Sequence, residues 1–127
     1  QENVVFTGRI DDVSGIYRRC SLFIHTAVVG DAFPTVILEA MAAGSCVIAP
    51  NDGGVPEMIC DGVNGRLYEA GNAQELASLI ERLLNSDKER ERLGRAGRRF
   101  VKDRFNHERY VDSFAGVINE VVMSDGV

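Results

Sequence analysis

Cysteine is scarce in this sequence, with Cys20, Cys46 and Cys60 the only three in 127 residues. An odd count without C-x-x-C spacing excludes a disulfide framework and speaks against a thiolate metal site, so all three read as reduced thiols in a cytosolic protein. Lysine is scarcer still: Lys88 and Lys102 are the only two, both in one charged segment. No apolar run approaches the roughly 18 residues that a membrane span needs. Positive charge is in deficit, with 14 Lys and Arg against 19 Asp and Glu and a net charge of -5, which counts against general nucleic-acid binding. No set of His, Cys, Asp and Glu has ligand spacing, so no metal and no other cofactor is expected. The polar start, Gln1-Glu2-Asn3, does not read as a signal peptide.

What remains is an ordinary globular composition, 45% hydrophobic and 26% charged, in a length that allows one domain over residues 1–127. The stretch Gly30 to Gly44 organises it. An apolar strand, Leu22 to Ile24, leads in. A loop follows, and a helix is predicted from Pro34, a residue suited to the first helical position because its missing N–H would be unpaired there. Gly44 suits the C′ position after Ala43, and a second apolar strand covers Cys46 to Ala49. A strand–loop–helix–strand unit of this kind brings free N–H groups and the positive end of a helix dipole to one point, a natural anion site.

Two acids mark that point. Glu39 lies within a run of Val, Ile, Leu, Ala and Met, where a charge is costly without a partner. It shares a helix face with Thr35, one turn earlier. Asp31 precedes it by eight positions, in the loop before the helix. An anion needs no acids, whereas a carboxylate can accept hydrogen bonds from two neighbouring sugar hydroxyls. Phosphate together with sugar hydroxyls describes a nucleotide-sugar. The residues alone leave a second reading open, in which Glu39 merely caps or pairs within the fold.

Along the chain, Val4 to Phe6 reads as a short buried strand and Asp11 to Arg19 as a short helix. Gly65 to Tyr68 reads as a final strand. Strands alternating with helical segments point to an α/β fold with a parallel sheet and flanking helices, whose ligands bind beyond the carboxyl ends of the strands. Arg9 and Ile10, the 25–33 loop and Pro50 to Gly54 then share one rim. His25, at a strand end, reads as a hydrogen-bonded structural residue, and Glu57 as a structural acid in the first turn of a short helix. Gly53 and Gly54 permit positive φ and close backbone approach. Asn72 with Glu75, and Ser86 with Glu89, form box-like starts of two helices. A further helix, capped by Asn106, is expected to carry Tyr110, Phe114, Val117, Ile118 and Val121 on one face. Eight of the 14 Lys and Arg fall between Lys88 and Arg104. They read as a solvated face interleaved with acids, or alternatively as a contact for an anionic membrane surface.

Leu38-Glu39-Ala40-Met41-Ala42-Ala43-Gly44, Gly53-Gly54-Val55-Pro56-Glu57, Asp61-Gly62 and Gly65 occur in order and at the spacing of a known family. The chain resembles the C-terminal, donor-binding Rossmann-like domain of retaining GT-B glycosyltransferases with the E-x(7)-E motif, the group 1 type. The likeness runs from about Val4 to the C-terminal helix, and Asp31 stands where the family usually has its first Glu. The resemblance implies a parent enzyme of two domains that moves a sugar from a nucleotide-diphospho-sugar donor to a saccharide or lipid-linked acceptor, with retention and without metal. It implies that Glu39 accepts hydrogen bonds from ribose hydroxyls. Asp31 would hold donor-sugar hydroxyls and stabilise developing positive charge. The N–H groups of Ala32 and Phe33 would face the sugar, those of Thr35 and Val36 the diphosphate, and the backbone at Arg9 and Ile10 the base. Such an enzyme is cytoplasmic, or peripheral at the inner face of the membrane. The upstream strands of the donor domain and the whole acceptor domain have no counterpart in these residues, so the chain reads as an inactive fragment.

Two other classes fit less of the sequence. A non-catalytic nucleotide-sugar-binding regulatory domain would explain the acid change at Asp31. A receiver-like signalling module needs a lysine on a late strand, and neither lysine is on one. A last expectation concerns the sheet. In the order 3-2-1-4-5-6, Val4–Phe6 would be strand three and Leu22–Ile24 strand four, with the central pair missing. Val4–Phe6 is then expected to pair directly with Leu22–Ile24, or with a second copy of the chain.

Overall fold

A computed structural model describes residues 3–105 and residue 115. Three short strands, β1 (Phe23–Ile24), β2 (Val47–Pro50) and β3 (Arg66–Tyr68), form a parallel sheet in the order β1-β2-β3. Phe23 pairs with Val47, and Ile48 with Arg66. The helices are α1 (Ser14–Arg19), α2 (Thr35–Ala42), α3 (Val55–Met58), α4 (Ala73–Leu84) and α5 (Asp87–Arg104).

All four residues of β2 are buried, as its unbroken apolar run demands of a central parallel strand. Its side chains alternate between two clusters. Val47 and Ala49 pack with Ile37, Ala40 and Met41 of α2 and with Val55 and Met58 of α3. Ile48, with Cys46 just before the strand, packs with Tyr68, with Leu79 and Leu83 of α4 and with Leu93 of α5. Helix α5 serves both, because Phe100 and Val101 further along it reach the first cluster. Its close approach depends on glycine: a Cβ on Gly94 would lie 2.2 Å from the carbonyl oxygen of Gly44.

Several expectations are met. Asn72 accepts a hydrogen bond from the Glu75 N–H and Ser86 from the Glu89 N–H, so both helices start as the sequence indicates. In neither does the acid return to its cap. Glu75 accepts from the Glu69 N–H, and Glu89 bridges Arg82 at 3.0 Å and Arg66 at 3.7 Å. Gly44 takes φ +84 after α2, as a C′ glycine should. None of the three cysteines is paired, and burial pushes the Cys46 thiol up to about 11.

Other expectations are corrected. Val4, Val5 and Phe6 form no strand and pair with nothing among the described residues; they are 62%, 82% and 96% exposed. A three-residue apolar segment without strands on both sides has neither ladder partners nor a cover, and it gains nothing by becoming extended. Pro34 is not the first residue of α2 but its N-cap, with ψ 95 in the extended region. The helix at 11–19 is shortened to Ser14–Arg19 with Val13 as its N-cap; Asp12 accepts from the N–H and hydroxyl of Ser14, a local turn that competes with helix at residues 11–13. The helix expected after Asn106 lies outside the described residues.

Candidate functional site

The loop from β1 to α2 and the turn after β2 meet at the carboxyl edge of the sheet. The meeting is backbone on backbone. The Gly54 N–H donates to the Asp31 carbonyl at 3.0 Å, and Gly53 takes φ +57. A Cβ on Gly53 would lie 2.4 Å from the Asp31 oxygen, and one on Gly54 only 1.8 Å from the Ala32 oxygen. Close approach is therefore what these glycines provide. Asp52 braces the same turn through the Gly53 N–H at 2.8 Å.

Helix α2 opens from this junction. No side chain caps its N-terminus, so the first N–H groups, at Thr35 and Val36, have no partner within the helix. Both residues are exposed. The Asp31 carboxylate accepts the Phe33 N–H at 3.0 Å, a local turn that sets the acid at the helix mouth and occupies one of the N–H groups assigned to the sugar. The phenyl ring of Phe33 is half exposed and lies 6.1 Å, centroid to centroid, from that of Phe105 beyond α5.

Glu39 projects from α2 on its one solvent-facing stripe. The residues around it, Ile37, Ala40 and Met41, are fully buried, whereas Glu39 is exposed. Its carboxylate accepts a hydrogen bond from the Tyr17 hydroxyl at 3.3 Å, and among the described residues no cation is within ion-pair reach. It opens on a groove between α1, α2 and α5, lined also by Asp11, Ser14, Arg18 and Arg98. Arg9 is exposed and paired with Asp11 at 3.2 Å, and Ile10 is half-buried. The structure thus joins Asp31, Ala32, Phe33, Thr35 and Val36 at one helix mouth, and it does not bring Arg9 or Ile10 into the lining of the groove beside Glu39. Sequence reasoning missed the Tyr17 hydroxyl; no signal marked it, since a tyrosine in a short helix reads as apolar.

His25 is not the hydrogen-bonded residue expected. Its backbone is tied to Ile48 and Tyr68, but the buried Nε2 has no partner among the described residues. The same residues contain no group of three His, Cys, Asp or Glu placed to hold a metal ion, and no helix long and apolar enough to cross a membrane.

An uncapped helix opening from the carboxyl edge of a parallel sheet, with Asp31 at its mouth and Glu39 on the groove alongside, lies where ligands bind in folds of the α/β class. The family model for glycosyl transferases group 1 matches residues 1–100, and the chain belongs to that family. Among curated relatives it is similar to N-acetyl-alpha-D-glucosaminyl L-malate synthase of Bacillus anthracis, 29% identical over 98% of this chain and 32% of that protein. Among solved structures it is similar to sucrose-phosphate synthase of Thermosynechococcus elongatus, with TM-score 0.89 and 27% identity over 97% of this chain and 31% of the other. HepE of Anabaena, crystallised with UDP-glucose, matches with TM-score 0.73 and 30% identity over 86% of this chain and 29% of the other. These neighbours are GT-B glycosyltransferases. The chain spans about a third of the length of the proteins it matches.

Proposed function

We propose that this chain is the later part of the donor-binding domain of a two-domain retaining glycosyltransferase. The parent moves a sugar from a nucleoside-diphosphate sugar to a saccharide or lipid-linked saccharide acceptor, without a metal. The observation that carries the reading is Glu39: an exposed carboxylate with no cationic partner among the described residues, on a largely apolar helix that buries its other face and whose mouth is uncapped. That arrangement supports a ligand presenting hydroxyls to the acid and phosphate to the helix, and the UDP-glucose bound by the Anabaena neighbour is such a ligand.

In this reading Glu39 accepts the ribose hydroxyls, and the N–H groups of Thr35 and Val36 face the diphosphate. As the sugar–phosphate bond breaks, charge grows on the departing diphosphate, and preorganised donors at a helix end stabilise it more in the transition state than before. Asp31, held by the Phe33 N–H, takes donor-sugar hydroxyls and offsets positive charge on the ring. Pro34 has no N–H to add. Position and charge thus come from this chain, and the acceptor comes from the other domain.

The test is transfer by the full-length protein. Turnover of a nucleoside-diphosphate sugar is expected to persist in EDTA, because the helix mouth takes over charge neutralisation. A strict requirement for Mg²⁺ or Mn²⁺ would overturn the metal-free reading, and donor binding without turnover would favour the regulatory alternative. The 127-residue chain by itself is expected to self-associate, since Val4, Val5, Phe6, Val28 and Val29 are exposed and the edge strand β1 is unpaired on its outer side among the described residues. Light scattering from a monodisperse monomer at high concentration would refute that.

A further inference from the structure

The geometry points to Tyr17 as a positioning residue that fixes the Glu39 carboxylate for the hydroxyls of the nucleotide ribose. The inference rests on the proposed function and extends it to a residue outside the motif. Its basis is the one hydrogen bond that the Glu39 carboxylate makes among the described residues, from the Tyr17 hydroxyl to Oε2 at 3.3 Å.

Tyr17 is built to hold that hydroxyl still. Its ring stands edge-on against Phe23 of β1, with centroids 5.4 Å apart and planes at 78°. Its backbone carbonyl accepts from the Ser45 hydroxyl at 2.5 Å, and Ser45 is buried in the turn between α2 and β2. The tyrosine is therefore anchored to the two elements that flank α2, independently of Glu39. Burial and the nearby Glu39 charge both raise the Tyr17 pKa, so the phenol stays protonated and remains a donor throughout the ordinary working range.

An exposed glutamate otherwise samples many rotamers and must be ordered when a ligand arrives. One hydrogen bond from a fixed donor removes much of that freedom beforehand, which is how preorganisation raises affinity. It uses one of the carboxylate's roughly four acceptor positions, leaving room for two hydroxyls. Arg18 and Arg98 line the same groove but make no ion pair with Glu39. They do not duplicate the constraint.

The experiment titrates the full-length protein with whichever of UDP, ADP and GDP it binds, and with the 2′,3′-dideoxy form of that nucleotide. Tyr17→Phe keeps the ring against Phe23 and removes only the hydroxyl. It is expected to raise the Kd of the ribonucleotide about 3- to 10-fold and to leave that of the dideoxy form unchanged. Added to Glu39→Gln, it is expected to cost nothing more, because the two act through one contact. Equal weakening of both nucleotides would assign Tyr17 a merely structural role and overturn the inference, as would unchanged ribonucleotide binding. If Glu39→Gln fails to discriminate between the two nucleotides, or none of the three nucleotides binds, the ribose reading itself falls and Tyr17 with it. A ribose-selective Glu39→Gln beside a silent Tyr17→Phe would refute only the positioning role.

Discussion

Replacing Gly54 by alanine is expected to lower kcat/KM of the full-length protein about 100-fold, the scale at which a misplacement near 1 Å is felt in an active site. The backbone at Gly54 has φ -84, which alanine tolerates. Space is what is lacking. The added methyl would lie 1.8 Å from the Ala32 oxygen and 2.8 Å from the Ala32 carbonyl carbon. Both are backbone atoms, so no rotamer change relieves the clash. Either the 30–34 loop or the turn after β2 must move, and the Gly54 N–H bond to Asp31 is strained or lost with it. Asp31, Ala32 and Phe33 ride on that loop. Overpacking of this kind costs roughly 1–3 kcal/mol of stability as well, so thermal unfolding should be followed beside activity. Gly15→Ala is the control: its Cβ meets nothing within 4 Å, and alanine is the better helix former. Wild-type kcat/KM in the Gly54 variant would show that the loop's position does not matter to the reaction.

Glu39→Ala is expected to weaken nucleoside-diphosphate binding about 10- to 100-fold, with the fold intact. Hydrogen bonds to a charged group contribute roughly 1.5–3 kcal/mol each, and the upper figure applies where the ligand excludes water. The fold should survive because the side chain is exposed and its removal strands no buried cation. Only the Tyr17 hydroxyl loses its partner, and the open groove gives it water. Calorimetry on the full-length protein decides the matter. Unchanged affinity, with normal thermal unfolding, would sink the assignment of Glu39 to the ribose.

The sequence by itself determined the class of the fold and, from α1 onward, the order of its described elements. These rest on local chemistry. The buried run at 46–49 is periodic in no way but that of a central parallel strand, and Gly44 and the Asn72 and Ser86 caps punctuate helices wherever they occur. Asp31 and Glu39 stand out because acids beside a proline-led apolar helix need a reason. Tertiary structure decided what depends on contacts between distant residues. Whether Val4 to Phe6 is a strand depends on neighbours to pair with, and without them it stays exposed. Whether Glu39 is a buried structural acid or an open one depends on which face of α2 meets the core. The packing of α2 on β2 and α5 turns it outward, to Tyr17, 22 positions earlier in the chain. Gly53 and Gly54 could have been an isolated tight turn; only the fold brings the backbone of Asp31 and Ala32 against them, leaving no room for a side chain.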